Sequence, residues 1–308
     1  MKTPAYFCKL ALLGASVCVL TGELLFAGAA QAAISVRDDA GNTVTLAKPA
    51  QRVIAMAPHI TELLFAAGGG ERVVGAMNFS DYPEAAKRLP LIGSDAQIDL
   101  ERVLALRPDL LVVWQSGNTA RQIEQLKSLG VPVFYSEPKK LEQVATSLTR
   151  LGQLMGTEAV AQAAAQDYRQ KIAALSARYA GRPVVRVFYQ IWEKPLYTLN
   201  GEHIASDAIR VCGGQNVFAD ERVPAPNVSS EAVLQANPEA IIGGQRHDAE
   251  SGIQIWRNVT AMEAVKRGNL FMLDSELLVR ATPRIADGMV VLCEKLETAR
   301  QHRPASKP

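Results

Sequence analysis

Short apolar runs alternate along the chain with segments in which apolar positions recur every three or four residues. Residues 52–57 and 110–114 have the continuous apolar character of buried strands, whereas residues 119–129 have the spacing of an amphipathic helix that Gly130 ends. Pro or Gly closes most of these segments. The alternation predicts an α/β fold with a largely parallel sheet.

A long helical segment divides this pattern into two halves. Residues 141–179 are predicted to be helical, with Gly156 as a place where the helix can break, and the strand and helix pattern restarts at residue 184. The predicted fold is therefore α/β, with two Rossmann-like lobes joined by one long rigid helix and a ligand cleft between the lobes. The expected boundaries are 1–32 for a signal peptide, 33–150 for the first lobe, 151–182 for the connecting helix, 183–300 for the second lobe and 301–308 for a tail.

The two halves repeat a local unit. Residues 99–112 resemble residues 229–242: each has a capping side chain, a Glu in the first helical turn, an apolar helix face, a Pro stop and a strand. Glu101 and Glu231 occupy matching positions. Each carboxylate alone is explained by its favourable interaction with a helix N-terminus. Their pairing predicts one exposed acidic side chain on each lobe, available to basic residues of a symmetric partner.

The first 32 residues have the pattern of a secretory signal. Lys2 and Lys9 precede a mostly apolar stretch that ends in small residues before Ala32. A membrane anchor is the alternative, but Glu23 interrupts the apolar run. Cys18 raises the question of lipid attachment, although the residues before it lack the usual pattern. We therefore expect an exported protein that is cleaved near Ala32.

Charge and cysteine content fit export. Removing the signal takes two of the 33 basic and one of the 31 acidic residues, which leaves a nearly neutral chain and gives no support for nucleic-acid binding. Cys212 and Cys293 remain, and two cysteines in an exported chain favour one disulfide over two buried thiols.

Motifs of enzymes are missing from the sequence. It contains neither a Gly-x-Ser-x-Gly elbow nor a phosphate-binding P-loop. The four histidines show no ligand spacing, so no catalytic residue, metal site or cofactor is predicted: His59, His203, His247 and His302.

Several aromatic residues fall at strand ends and in the loops that follow: Phe79, Tyr82, Trp114, Trp192 and Tyr197. In a doubly wound sheet these loops face the ligand. The positions are compatible with ordinary packing or with a cleft for a large, flat, partly apolar ligand.

Seven segments together resemble the periplasmic vitamin B12-binding proteins of ABC importers, within the larger group that binds iron-siderophores, haem and cobalamin. They are residues 58–62, 79–83, 100–109, 114–118, 211–216, 222–229 and 279–285. The similarity extends over about residues 52–299.

The resemblance implies roles for particular residues. Glu101 and Glu231 match glutamates that dock onto arginines of the two permease subunits, and Cys212 and Cys293 match the family's disulfide. The implied ligand-binding residues are Phe79, Tyr82, Trp114, Tyr197, Glu276, Leu277, Leu278, Val279 and Arg280. The expected partners are a corrinoid, carried as transported ligand and not as cofactor, and the permease, with the protein itself a monomer that meets the membrane only through the importer.

Some positions depart from the family pattern. Asp95 and Ala225 stand where a cobalamin binder has tryptophans, and Leu277 and Leu278 replace aromatics. A precursor corrinoid such as cobinamide therefore remains compatible. The alternatives are haem or siderophore binding with Tyr82 or His59 on iron, a metal-dependent enzyme built from the histidines, and an added signalling role.

Overall fold

Two four-stranded parallel sheets organise the computed structural model, which describes residues 33–94, 97–245 and 252–304. The predicted signal peptide, Asp95 and His247 lie outside these residues. Within the described part, no helix combines the length and the apolar character that crossing a membrane requires.

The first sheet has the spatial order β4-β3-β5-β6. Its strands are β3 (Val53–Ala55), β4 (Val73–Ala76), β5 (Leu110–Trp114) and β6 (Val133–Ser136). An antiparallel hairpin of β1 (Ile34–Arg37) and β2 (Thr43–Leu46) precedes it. The helices of this lobe are α1 (Pro58–Ala66), α2 (Leu100–Ala105) and α3 (Ala120–Ser128).

The second sheet repeats this order as β10-β7-β11-β12. Its strands are β7 (Val185–Gln190), β10 (Gly214–Asn216), β11 (Ala240–Gln245) and β12 (Leu270–Asp274), with a small antiparallel pair of β8 (Trp192–Glu193) and β9 (Leu196–Tyr197) beside them. The helices are α6 (Ile204–Val211), α7 (Ser230–Ala236), α8 (Glu263–Lys266), α9 (Ser275–Val279) and α10 (Ile285–Gln301). In each sheet the strand that comes first along the chain, β3 or β7, is central, and the second, β4 or β10, lies at an edge. The two lobes therefore share one topology.

Two consecutive helices carry the chain from one lobe to the other. Helix α4 (Leu141–Met155) ends where Gly156 adopts φ 64°, and α5 (Glu158–Tyr179) then runs for 22 residues, about 33 Å. The predicted break is thus confirmed. Apolar positions on α4 pack into a core that continues through both lobes.

The repeated helix start has the predicted capping geometry in both lobes. The Asp99 carboxylate accepts a hydrogen bond from the Arg102 amide at 2.9 Å, and the Ser229 hydroxyl accepts one from the Ala232 amide at 3.1 Å. Ser229, and not Ser230, is therefore the cap of α7.

Thr61 lies inside α1, which begins at Pro58, and its buried hydroxyl donates a hydrogen bond to Ser80 at 2.9 Å. Helix α10 continues to Gln301, the first residue of the expected tail, and His302 Nδ1 lies 2.7 Å from the Asn269 side-chain oxygen.

Candidate functional site

A cleft of about 860 Å³ lies between the two sheets and takes its walls from both lobes. The first wall is formed by residues 56–59, 77–79, 114–116 and 137–139. These segments directly follow β3, β4, β5 and β6, so all four strands of the first sheet present their carboxyl ends to the cleft. This is the edge at which parallel α/β sheets bind ligands.

The opposite wall comes from the loops of the second sheet. Leu199 and residues 202–204 precede and begin α6, residues 224 and 225 precede α7, and residues 276 and 279–281 follow β12. Ala225, one of the positions where a tryptophan was expected from the family, therefore borders the cleft with a single methyl group.

Trp114 is held in the first wall by its neighbours. The Asn118 side chain accepts a hydrogen bond from the Trp114 amide at 2.8 Å and donates one to the Met56 carbonyl at 2.8 Å. A Cβ atom at Gly117 would lie 1.9 Å from Cε3 of the indole, so glycine is required for this ring position. The indole is thus placed by the loop before any ligand arrives.

Phe79 stands at the rim of the cleft. Its backbone has φ 66°, in the left-handed region that non-glycine residues rarely adopt, and its side chain is 76% exposed. Burying this ring against a ligand would remove a large apolar surface from water.

An ion cluster joins the lobes behind the cleft. Glu62 on α1 is 3% exposed, and its Oε1 lies 3.0 Å from Arg280 Nη1 and 3.3 Å from Arg284 Nη1 of the second lobe. Arg280 also pairs with Glu276 and, at 3.5 Å, with Asp81. We call these five residues the interlobe ion cluster; it fixes Arg280 where this side chain borders the cleft.

A second set of contacts joins the lobes near Lys139. Lys139 Nζ lies 3.5 Å from Glu202, Lys140 donates to the Gly201 carbonyl at 3.0 Å, and the Leu141 amide donates to Asp207 at 3.0 Å. These contacts hold the start of α4 against the start of α6.

Two histidines border the cleft in neutral form. Burial and then the nearby Arg280 guanidinium lower the pKa of His59 to about 3, and burial lowers the pKa of His203 to about 4. Both rings are therefore uncharged at neutral pH.

A family model described as periplasmic binding protein matches residues 53–277. The chain belongs to this family.

Relatives of this periplasmic binding protein carry a more specific name. The vitamin B12-binding protein of Vibrio parahaemolyticus serotype O3:K6 is 36% identical over 264 residues, which are 85% of this chain and 95% of that protein. The vitamin B12-binding protein of Vibrio cholerae serotype O1 is 38% identical over 254 residues, which are 82% of this chain and 91% of that protein.

Solved structures place the fold among binding proteins with different ligands. The periplasmic vitamin B12 binding protein BtuF of Vibrio cholerae matches with a TM-score of 0.76 at 36% identity, over 82% of this chain and 99% of that chain. A periplasmic haem-binding protein from Pseudomonas aeruginosa matches with a TM-score of 0.70 at 28% identity, over 84% of this chain and 96% of that chain. The fold class predicted from the sequence is thus confirmed.

The binding protein brings five of the nine predicted ligand residues to the cleft: Phe79, Trp114, Glu276, Val279 and Arg280. Tyr82, Tyr197 and Leu277 lie outside its lining, and Leu278 is buried in the core. Tyr82 instead packs under Arg284, whose guanidinium carbon is 4.0 Å from the ring centroid.

Several cleft residues were not singled out as ligand contacts by the sequence: Glu137, Lys139, Glu202 and His203. One signal could have identified His203. His-Ile occurs at 59–60 and again at 203–204, and a Gly pair begins nine residues after each Ile, at 69–70 and at 213–214. The repeat marks equivalent helix starts in the two lobes.

The predicted docking glutamates are exposed in both lobes. Glu101 lies in the first turn of α2 and Glu231 in the first turn of α7. Hydrogen bonds from its own backbone and from Ser229 lower the pKa of Glu231 below its ordinary value. Each lobe therefore displays one carboxylate on a capped helix start.

The expected disulfide is present. Cys212, which follows α6, is bonded to Cys293 on α10, across 81 positions of the sequence. Both residues belong to the second lobe, so the bridge ties two of its helices together.

Proposed function

We propose that this binding protein captures cobalamin or a related corrinoid in the interlobe cleft and delivers it to an ABC importer. The observation that carries the proposal is the 36–38% identity, over more than four fifths of the chain, to proteins named vitamin B12-binding. A cleft bordered by both lobes supports it, because a flat macrocycle can then be held on two sides.

The chemistry of the cleft fits a macrocycle with an apolar body and a polar edge. Trp114 and Phe79 offer flat apolar surfaces, while Glu276 and Arg280 offer polar groups from the second lobe. Because Ala225 stands in place of a bulky aromatic, the second-lobe wall contacts a ligand less extensively. Cobinamide is therefore included among the candidate ligands. Tyr82, Tyr197, Leu277 and Leu278 complete the proposed binding set, Leu278 by supporting its neighbours from the core.

We further propose a cellular compartment and an oligomeric state for the protein. The first 32 residues act as a signal peptide that is removed near Ala32, and the mature protein works in the periplasm as a monomer. It carries its ligand without covalent chemistry and without a resident cofactor.

Calorimetric titration with cyanocobalamin and cobinamide tests the ligand. We expect heat with at least one of them and, because a buried aromatic surface contributes about 1.5–3 kcal/mol, roughly 10–100-fold weaker binding by Trp114→Ala. Trp192→Ala is the matched control, since Trp192 is exposed and lies outside the cleft lining.

Absence of heat with every corrinoid would overturn the assignment. Haemin belongs in the same series, because haem-binding proteins share the fold. A haem absorption band that is retained on the protein while corrinoids fail to bind would transfer the function to haem.

Importer docking gives a second prediction. We expect the double variant Glu101→Arg/Glu231→Arg to lose stimulation of the importer's ATPase while its corrinoid affinity stays unchanged, because both carboxylates are exposed and away from the cleft lining. ATPase assays in proteoliposomes, with calorimetry alongside, measure the two properties separately.

Glu158→Arg provides the matched control for docking. Glu158 is also exposed in a first helical turn, but on the connecting helix α5. If Glu158→Arg reduced stimulation as much as the double variant, a general charge effect would replace the two-point docking proposal.

A further inference from the structure

The His-Ile repeat places one imidazole on each wall of the cleft. His59 is in the first turn of α1 and His203 is the cap of α6, the first helices of their lobes. Both residues line the same cavity. The two rings nevertheless differ in what they can offer a ligand.

His203 is restricted to donating a hydrogen bond. Its Nδ1 accepts from the Ala205 amide at 3.1 Å, so the proton of the neutral ring is on Nε2. That nitrogen has no lone pair to give to a metal. His203 can bind carbonyl oxygens of a ligand.

His59 keeps a lone pair available. Within residues 33–94, 97–245 and 252–304, no hydrogen bond engages its ring. The ring meets Trp114 edge to face, with centroids 5.4 Å apart, and this contact orients it. Because the pKa is about 3, the ring remains neutral even in mildly acidic solution.

We propose that His59 binds the cobalt of a corrinoid whose axial position holds an exchangeable water. The inference rests on the proposed function and specifies its ligand class. A nitrogen lone pair of the neutral imidazole forms the Co–N bond as the Co–O bond to water breaks, and the water leaves intact. Cobalt remains Co(III), and no proton or electron is transferred.

The surroundings of His59 favour a metal over the amide groups of the ligand edge. Met56 and Met77, which have apolar side chains, also line the cleft, and the Arg280 guanidinium near His59 is already paired with carboxylates. Imidazole is a good ligand for first-row transition metals. Removing a neutral imidazole nitrogen from water costs little free energy, and the coordination bond to cobalt offsets that cost.

Absorption spectroscopy of bound diaquocobinamide tests the assignment. We expect the corrin bands to shift when the full-length mature protein binds it at about pH 7.5, where the imidazole is neutral. His59→Ala should bind without the shift, and Trp192→Ala, at an exposed residue outside the cleft lining, should retain it. Urea unfolding of each variant checks that it is folded.

Dicyanocobinamide is the matched ligand, because cyanide fills both axial positions. We expect the wild type to prefer diaquocobinamide by about tenfold or more, and His59→Ala to lose this preference. A calorimetric signal without any shift in the wild type, or the same shift in His59→Ala, would overturn cobalt ligation and leave the proposed function standing. Absence of binding heat with all corrinoids would instead remove the proposed function itself.

Discussion

Replacing Cys212 and Cys293 together with alanine is expected to lower the free energy of unfolding by about 4.5 kcal/mol. The bridge closes a loop across 81 positions, and in the chain-entropy account such a loop restricts the unfolded chain by about this amount. The unfolded fraction would rise by roughly three orders of magnitude. Urea unfolding followed by circular dichroism measures the change.

Reducing the disulfide of the wild-type protein distinguishes the contribution of the cross-link to stability from the contribution of cysteine side-chain packing. Both cysteines are fully buried, so alanine also removes two sulfur atoms from the core. We expect a reducing agent to destabilise the wild type and to leave the double variant unaffected. A wild type that unfolds at the same urea concentration with and without reductant would contradict the prediction.

Removing the carboxylate of Glu62 is expected to cost about 3 kcal/mol or more. Glu62→Ala removes the buried carboxylate that the half-buried Arg280 and Arg284 guanidiniums share. The lobes should then separate more readily, because the cluster joins them. Urea unfolding measures the stability, and small-angle X-ray scattering measures the radius of gyration.

Two comparisons make this prediction specific. Glu62→Gln retains the shape but not the charge, so it should destabilise nearly as much if the charge matters. Glu84→Ala removes one partner of an exposed pair with Lys87 and should leave the free energy of unfolding nearly unchanged. Equal stabilities for Glu62→Gln and the wild type would show that charge contributes nothing to the contact.

Features set by neighbouring residues could be predicted from the sequence. The caps Asp99 and Ser229, the strand Leu110–Trp114 and the break at Gly156 each depend on a few adjacent positions. The repeated helix start also indicated two lobes of one design. These local signals were enough to place the cleft between two sheets.

The interior of the site could not be predicted in the same way. Glu62 meets Arg280 and Arg284 across 218 and 222 positions, and no local pattern reports such a contact. Thr61 is of a residue type that often caps helices, but its hydroxyl donates a hydrogen bond to Ser80 in another loop. Both Trp114 and Tyr197 lie at strand ends in the sequence pattern. Trp114 does line the cleft, whereas Tyr197 belongs to a separate small hairpin outside the lining, and the pattern did not distinguish the two.

The single passage of the chain between the lobes has a consequence for how the protein is made. All strands of the first sheet, from Val53 to Ser136, precede the first strand of the second sheet at Val185. A chain that emerges amino end first can therefore complete one sheet while the other is still being delivered. Cys293 follows every strand of both sheets, so the bridge can be oxidised only after all of these strands have been delivered.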